Sequence, residues 1–155
     1  MFYGKYEKFS YFLYRLQLLK LKILGAKIGK NIKVFGKFFV SGNPKNLTIE
    51  DNVTINHGVY LNCRNKLTIK ENCRLSAYAK IYTASLETDS LKRKHTSLPV
   101  TLEKNVWIAT NSTVLQGVTI GENSVLAAHS LLTESAKPNS LYYGTPAKFQ
   151  RTLNI

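Results

Sequence analysis

A chain of 155 residues with 44% hydrophobic content fits one domain with a single stacked core and leaves no material for a second. Twenty-two basic side chains against nine acidic ones give a formal charge of +13. This implies affinity for a polyanion: nucleic acid, anionic lipid or a phosphorylated small molecule. The absence of a recognition-helix motif, zinc-finger spacing or an aromatic RNA-binding signature argues against nucleic acid.

The first predicted element is an N-terminal helix over residues 1–26. Phe2, Tyr6, Phe9, Leu13 and Leu16 follow helical spacing, with Lys5, Lys8, Arg15 and Lys22 elsewhere on the wheel and Lys20 interrupting the apolar stripe. Arg15, Lys20, Lys22 and Lys27 break the stretch too often for it to span a bilayer. Two readings follow. The stripe covers the open end of a following repeat array, or the helix lies on a membrane surface, which its aromatics and basic balance favour.

From Ile28 a six-residue period takes over. Ile28, Val34 and Val40 form one string, Ile49, Ile55 and Leu61 a second, and Ile69, Leu75 and Ile81 a third. The longer steps between strings put small loops at Asn43 to Asn46 and Cys63 to Lys66. Neither a helix nor a flat strand repeats every six residues. That period instead builds an all-β solenoid, a left-handed parallel β-helix in which each hexapeptide forms one face of a triangular prism and its aliphatic residue points inward.

Between Ile81 and Leu102 the array is interrupted, and Ser85 to Pro99 is read as a loop leaving the coil. Such loops are where repeat proteins place function. The period then runs unbroken through Leu102, Ile108, Val114, Ile120, Leu126 and Leu132, so the solenoid spans 27–151 and residues 152–155 form a short tail. Cys63 and Cys73 are read as packed, reduced thiols of a cytoplasmic protein, with a disulfide as the alternative.

The segment from Asn105 to Thr133, with Val106-Trp-Ile-Ala109, Gly117-Val-Thr-Ile-Gly121 and Ala127-Ala-His-Ser-Leu-Leu-Thr133, followed by Gly144-Thr-Pro-Ala-Lys148, resembles the hexapeptide-repeat acyltransferases. Within them it is most similar to the sugar O-acetyltransferases of surface-polysaccharide synthesis, with galactoside, maltose and serine acetyltransferases as relatives. Ala109 and Ala127 replace usual glycines, and Glu134 stands where lysine is common. The resemblance implies a homotrimer with active sites between neighbouring prisms, acetyl-coenzyme A as cosubstrate, no metal, and a sugar, sugar-nucleotide or lipid-linked acceptor. It also implies a cytoplasmic protein, at the inner face of the membrane if the helix touches lipid.

Acetyl transfer to a hydroxyl needs a base for the proton and donors for the oxyanion. The family's catalytic histidine aligns with Leu86 here. His95, later in the same loop, is therefore the first candidate for base, with Glu87 or Asp89 available to orient its ring. The alternative is a surface histidine in a basic loop. His57 is the second candidate, and its neighbour Asn56 matches an asparagine that contacts acceptor in galactoside-type enzymes. His129 reads as structural. By position the resemblance gives Thr110, Ala128 and Thr133 to the pantetheine arm and Lys148 and Arg151 to the nucleotide phosphates, while Trp107 packs at a corner or beneath the loop. Two other functions stay open: a non-catalytic scaffold that lost its base at position 86, and a γ-class carbonic-anhydrase-like zinc enzyme, for which the histidine spacing is poor.

Overall fold

A computed structural model describes residues 3–89 and 91–155, with side chains from Leu13 onward. The chain forms the β-helix that the six-residue period predicts, with one N-terminal helix, α1 (Tyr3–Ile23). One face of the prism stacks β1 (Lys27–Ile28), β4 (Leu47–Ile49), β7 (Leu67–Ile69), β12 (Val100–Leu102) and β15 (Thr119–Ile120) in parallel. A second stacks β2 (Lys33–Phe35), β5 (Thr54–Asn56), β8 (Arg74–Leu75), β13 (Trp107–Ile108) and β16 (Val125–Leu126). It ends in the antiparallel pair β18 (Ser140–Gly144) and β19 (Ala147–Thr152). The third stacks β3 (Phe39–Gly42), β6 (Tyr60–Cys63), β9 (Lys80–Ile81), β14 (Thr113–Val114) and β17 (Leu131–Leu132).

The aliphatic residue of each hexapeptide fills the interior. Ile49, Ile55, Leu61, Ile69, Leu75, Ile81, Leu102, Ile108 and Val114 are fully buried, while Ile28 and Val40 of the first coil are only partly covered. Apart from a few turn bonds within a coil, such as Ala79 N–H to the Ser76 carbonyl at 3.2 Å, the coils' backbone bonds run from each coil to the next, which is why the strands can be as short as two residues.

The corner between the first and second faces carries a column of asparagines. Asn31, Asn52, Asn72, Asn105, Asn123 and Asn139 all hold positive φ, between 53° and 61°, a conformation asparagine tolerates better than other non-glycine residues. Their side chains bond along the column, with Asn72 donating to Asn105 (3.1 Å), Asn105 to Asn123 (2.8 Å) and Asn123 to Asn139 (2.8 Å). The corner is thus held twice, by backbone and by side-chain amides.

Three sequence expectations need correction. Cys63 does not bulge with Arg64 to Lys66; it ends β6, pairs with Gly42 and is fully buried. Trp107 lies neither at a corner nor beneath the loop but on the outer side of the second face, where its indole N–H donates to Ser76 Oγ at 2.9 Å. The helix does meet the first coil, but through a different stripe. Tyr14, Leu18 and Leu21 pack against the core and Gln17 donates to the Phe38 carbonyl at 2.7 Å, whereas Leu13 and Leu16 face outward. The expected contributions of Tyr6 and Phe9 fall among side chains outside the described set, and Phe2 lies outside the described residues. Gly25, at φ 99°, closes the helix: its N–H reaches the Lys22 carbonyl and that of Ala26 reaches Leu21.

Candidate active site

The interruption after β9 carries an antiparallel strand pair. β10 (Ala84–Leu86) pairs antiparallel with β11 (His95–Ser97), matching Ala84 with Ser97, Ser85 with Thr96 and Leu86 with His95. The hairpin leaves the coil at the corner between the third and first faces. There, Thr83 is buried and donates to the Asn62 carbonyl at 2.9 Å. It returns at Pro99, whose carbonyl accepts from Gly117 at 3.2 Å. Gly117 sits at φ 78°, and a Cβ there would stand 3.0 Å from Leu98 Cδ1, so glycine both turns the corner and admits the returning strand.

Directly opposed residues of an antiparallel pair project from the same side of the ribbon. His95 therefore shares a side with Leu86, the position the family resemblance gives to histidine. Both side chains are exposed. Their neighbours Ser85 and Thr96 project from the other side, toward the coil, where Gln116 Nε2 donates to Thr96 Oγ1 at 3.0 Å. Among the described residues neither ring nitrogen of His95 has a hydrogen-bond partner. Glu87 joins the hairpin only by backbone, donating to the Lys94 carbonyl at 2.8 Å, and Asp89 accepts from Thr88 Oγ1 at 3.1 Å.

Beneath the hairpin lies a cavity of about 370 Å³ lined by Tyr82, Ala84, Ser85, Leu115, Gln116 and Thr133. Tyr82, Leu115 and Thr133 each follow a buried core residue on successive coils, so the wall is a column of the prism. Burial pushes the Tyr82 phenol upward, with the Tyr60 hydroxyl adding to the shift. Gln116 has one end of its amide on Thr96 and the other, Oε1, buried without a partner among the described residues. An orphaned carbonyl of this kind costs about 1–3 kcal/mol. Sequence reasoning singled out neither Gln116 nor Tyr82. The available signal was position, since residues one or two beyond Ile81, Val114 and Leu132 all meet the corner from which the loop departs.

The other candidates stand at a different corner, between the second and third faces. His57 is exposed there, its ring edge-on to Tyr78 with centroids 5.4 Å apart. Asn56 donates its side-chain amide to the Leu75 carbonyl at 2.8 Å, which commits it to linking coils. Thr110 and Ala128 occupy the same corner on later coils, where the Thr110 carbonyl accepts from His129 N at 2.9 Å. Lys148 and Arg151 are exposed on β19. A single chain therefore separates the candidates into one set around the hairpin (His95, Glu87, Thr133) and another around the His57 corner.

Cys63 and Cys73 are fully buried, and burial pushes both thiols up to about 12. Neither offers a thiolate near neutral pH. Among the described residues, no three of His, Cys, Asp or Glu gather where they could hold a metal ion.

Residues 99–134 match the Bacterial transferase hexapeptide (six repeats) family model. An Escherichia coli K12 protein named for acetyl transfer in colanic acid biosynthesis, WcaF, is 30% identical over 135 residues, covering 87% of this chain and 74% of that one. A hexapeptide-repeat acetyltransferase of Vibrio cholerae, solved with acetyl-coenzyme A, superposes with a TM-score of 0.81 at 31% identity, covering 87% of this chain and 75% of that one. A maltose O-acetyltransferase of Clostridium difficile 630 gives 0.81 at 28% identity, with 87% and 73% covered. Repeat period, prism and these likenesses agree: the chain belongs to the hexapeptide-repeat acetyltransferases.

Proposed function

We propose that this protein transfers the acetyl group of acetyl-coenzyme A to a hydroxyl of a sugar used in surface-polysaccharide biosynthesis, as a cytoplasmic homotrimer with His95 as general base. The observation that carries the reading is the pairing of His95 with Leu86. An imidazole absent from one strand of the hairpin is supplied by the residue directly across it, on the same side of the ribbon.

His95 takes the proton of the acceptor hydroxyl as that oxygen attacks the thioester carbonyl. A coil backbone amide receives the oxyanion, and the imidazolium returns the proton to the departing sulfur. No acyl-enzyme is required, in keeping with the buried, protonated Cys63 and Cys73. The two groups of candidates lie on different corners, which suits a cleft built from two copies: the hairpin and Thr133 from one, His57, Thr110 and Ala128 from its neighbour. In this arrangement Lys148 and Arg151 meet the nucleotide phosphates. An acceptor carried on lipid would bring the trimer to the inner face of a membrane.

The test is acetyl-coenzyme A binding by calorimetry, followed by release of free thiol with a panel of sugar and sugar-nucleotide acceptors. Saturable binding with acceptor-dependent thiol release is expected. The unpartnered His95 ring also favours a second reading, a scaffold that has lost catalysis. Protein that fails to bind acetyl-coenzyme A would establish the scaffold.

A further inference from the structure

The outward face of α1 is not the face of an ordinary surface helix. Tyr14, Leu18 and Leu21, at i, i+4 and i+7, are spent on the first coil. On the opposite side Leu16, Leu19 and Ile23, at i, i+3 and i+7, are 45%, 53% and 77% exposed. Leu13 and Leu24 extend the apolar area at its margin, 45% and 47% exposed. Isolated exposed leucines need no explanation, but a continuous stripe on one helix does.

Beside the stripe a groove of about 620 Å³ runs between α1 and the first coil. Leu16 and Leu19 of the stripe, with Leu18, Ile28 and Ile32, contribute its apolar lining, while Arg15 and Lys22 from the helix and Lys30 from the coil contribute cations. The Asp51 carboxylate accepts from the Lys30 backbone N–H at 2.7 Å. Lys20 borders the stripe on its other side, and Lys27 and Lys33 stand exposed on the first coil. Apolar side chains flanked on both sides by cations, on a chain of net charge +13, match an anionic bilayer: acyl chains meet the stripe while phosphates meet the rim.

We propose that α1 and the first coil form a membrane-binding surface for anionic phospholipid, with Leu16, Leu19 and Ile23 entering the interface and Lys22 and Lys30 holding headgroup phosphates. A helix seated in this way lies in the plane of the bilayer; among the described residues no helix is long and apolar enough to cross one. The proposal gives a physical site to the membrane-face part of the functional reading. It depends on no step of acetyl transfer, so either can fail alone.

The experiment is flotation of the full chain with vesicles of phosphatidylcholine, with and without phosphatidylglycerol, at low and high salt. Binding is expected only with phosphatidylglycerol, weakening as salt rises. Lys22→Gln with Lys30→Gln should weaken it by roughly fivefold per cation. The triple variant Leu16→Ser, Leu19→Ser, Ile23→Ser should lose at least about tenfold, because apolar insertion and phosphate attraction act together. These positions are exposed, so its thermal unfolding should match that of the parent, and a chromatographic comparison reports its assembly state. No flotation with phosphatidylglycerol vesicles overturns the proposal. So does undiminished binding by the triple variant, which would mark simple polyanion attraction, or a smaller assembly, which would mark the stripe as a contact between copies.

Discussion

Exchanging the two residues of the Leu86–His95 pair tests the functional reading at its narrowest point. Removing a general base costs about 10²–10⁴-fold in rate, equivalent to roughly 3–5 kcal/mol of transition-state stabilisation. His95→Ala should therefore reduce turnover by that factor. The double variant Leu86→His, His95→Leu returns an imidazole to the same side of the ribbon, displaced by the separation of an opposed pair, about 4.5–5.5 Å between Cα atoms. Misplacement by a single ångström can cost about 10²-fold, so recovery should be partial, at least about tenfold above His95→Ala. Both side chains are exposed, and stability should stay within about 0.5 kcal/mol of the parent. Thiol release under saturating acetyl-coenzyme A gives the rates, and urea unfolding gives the stability. Wild-type turnover in His95→Ala would remove His95 from the mechanism. A dead single variant with no gain in the exchanged one would refute the argument from the shared side of the ribbon.

Other consequences are open to measurement. Asn105→Ala should destabilise by about 2–3 kcal/mol, from positive φ plus two lost side-chain bonds, whereas Asn105→Gly should cost only about 1 kcal/mol because φ 59° suits glycine; denaturant midpoints in the reverse order would contradict the corner account. Gln116→Met removes the orphaned Oε1 along with the bond to Thr96, so its melting temperature should equal or exceed the parent's while acceptor KM rises; clear destabilisation would mean that the orphan carries no cost. The thiols of Cys63 and Cys73 should resist a thiol reagent at pH 8 until the protein is unfolded. Because burial raises both thiols to about 12, the stability they contribute is complete below the ordinary thiol range and is lost as pH rises toward 12; rapid labelling of the native protein would refute this.

The solenoid was legible in the sequence because its interior admits one kind of residue at one spacing, and Leu102 to Leu132 keep that spacing without a break. The asparagine corner leaves a trace in the sequence, since Asn72, Asn105 and Asn123 stand at matching points of successive coils, but asparagine is common in any exposed turn, so the column emerges only once the coils are stacked. The docking side of α1 was not legible: Leu13, Leu16, Leu18, Leu19 and Leu21 distribute apolar character around the whole wheel, and only the packed coil selects Leu18 and Leu21. The hairpin register was hidden for a different reason. Almost every residue from Ser85 to Pro99 is exposed, so no burial period marks which residues oppose each other, and backbone bonds alone pair Leu86 with His95.

After the hairpin, β12 stacks on β7 in unbroken register, Val100 on Leu67 and Leu102 on Ile69, with Val100 N–H on the Lys66 carbonyl at 3.0 Å. The coil closes as it would if nothing had been inserted. The hairpin is therefore a separable insertion: its length and sequence can vary while β7 and β12 keep their register and the hydrophobic stack of the prism stays closed.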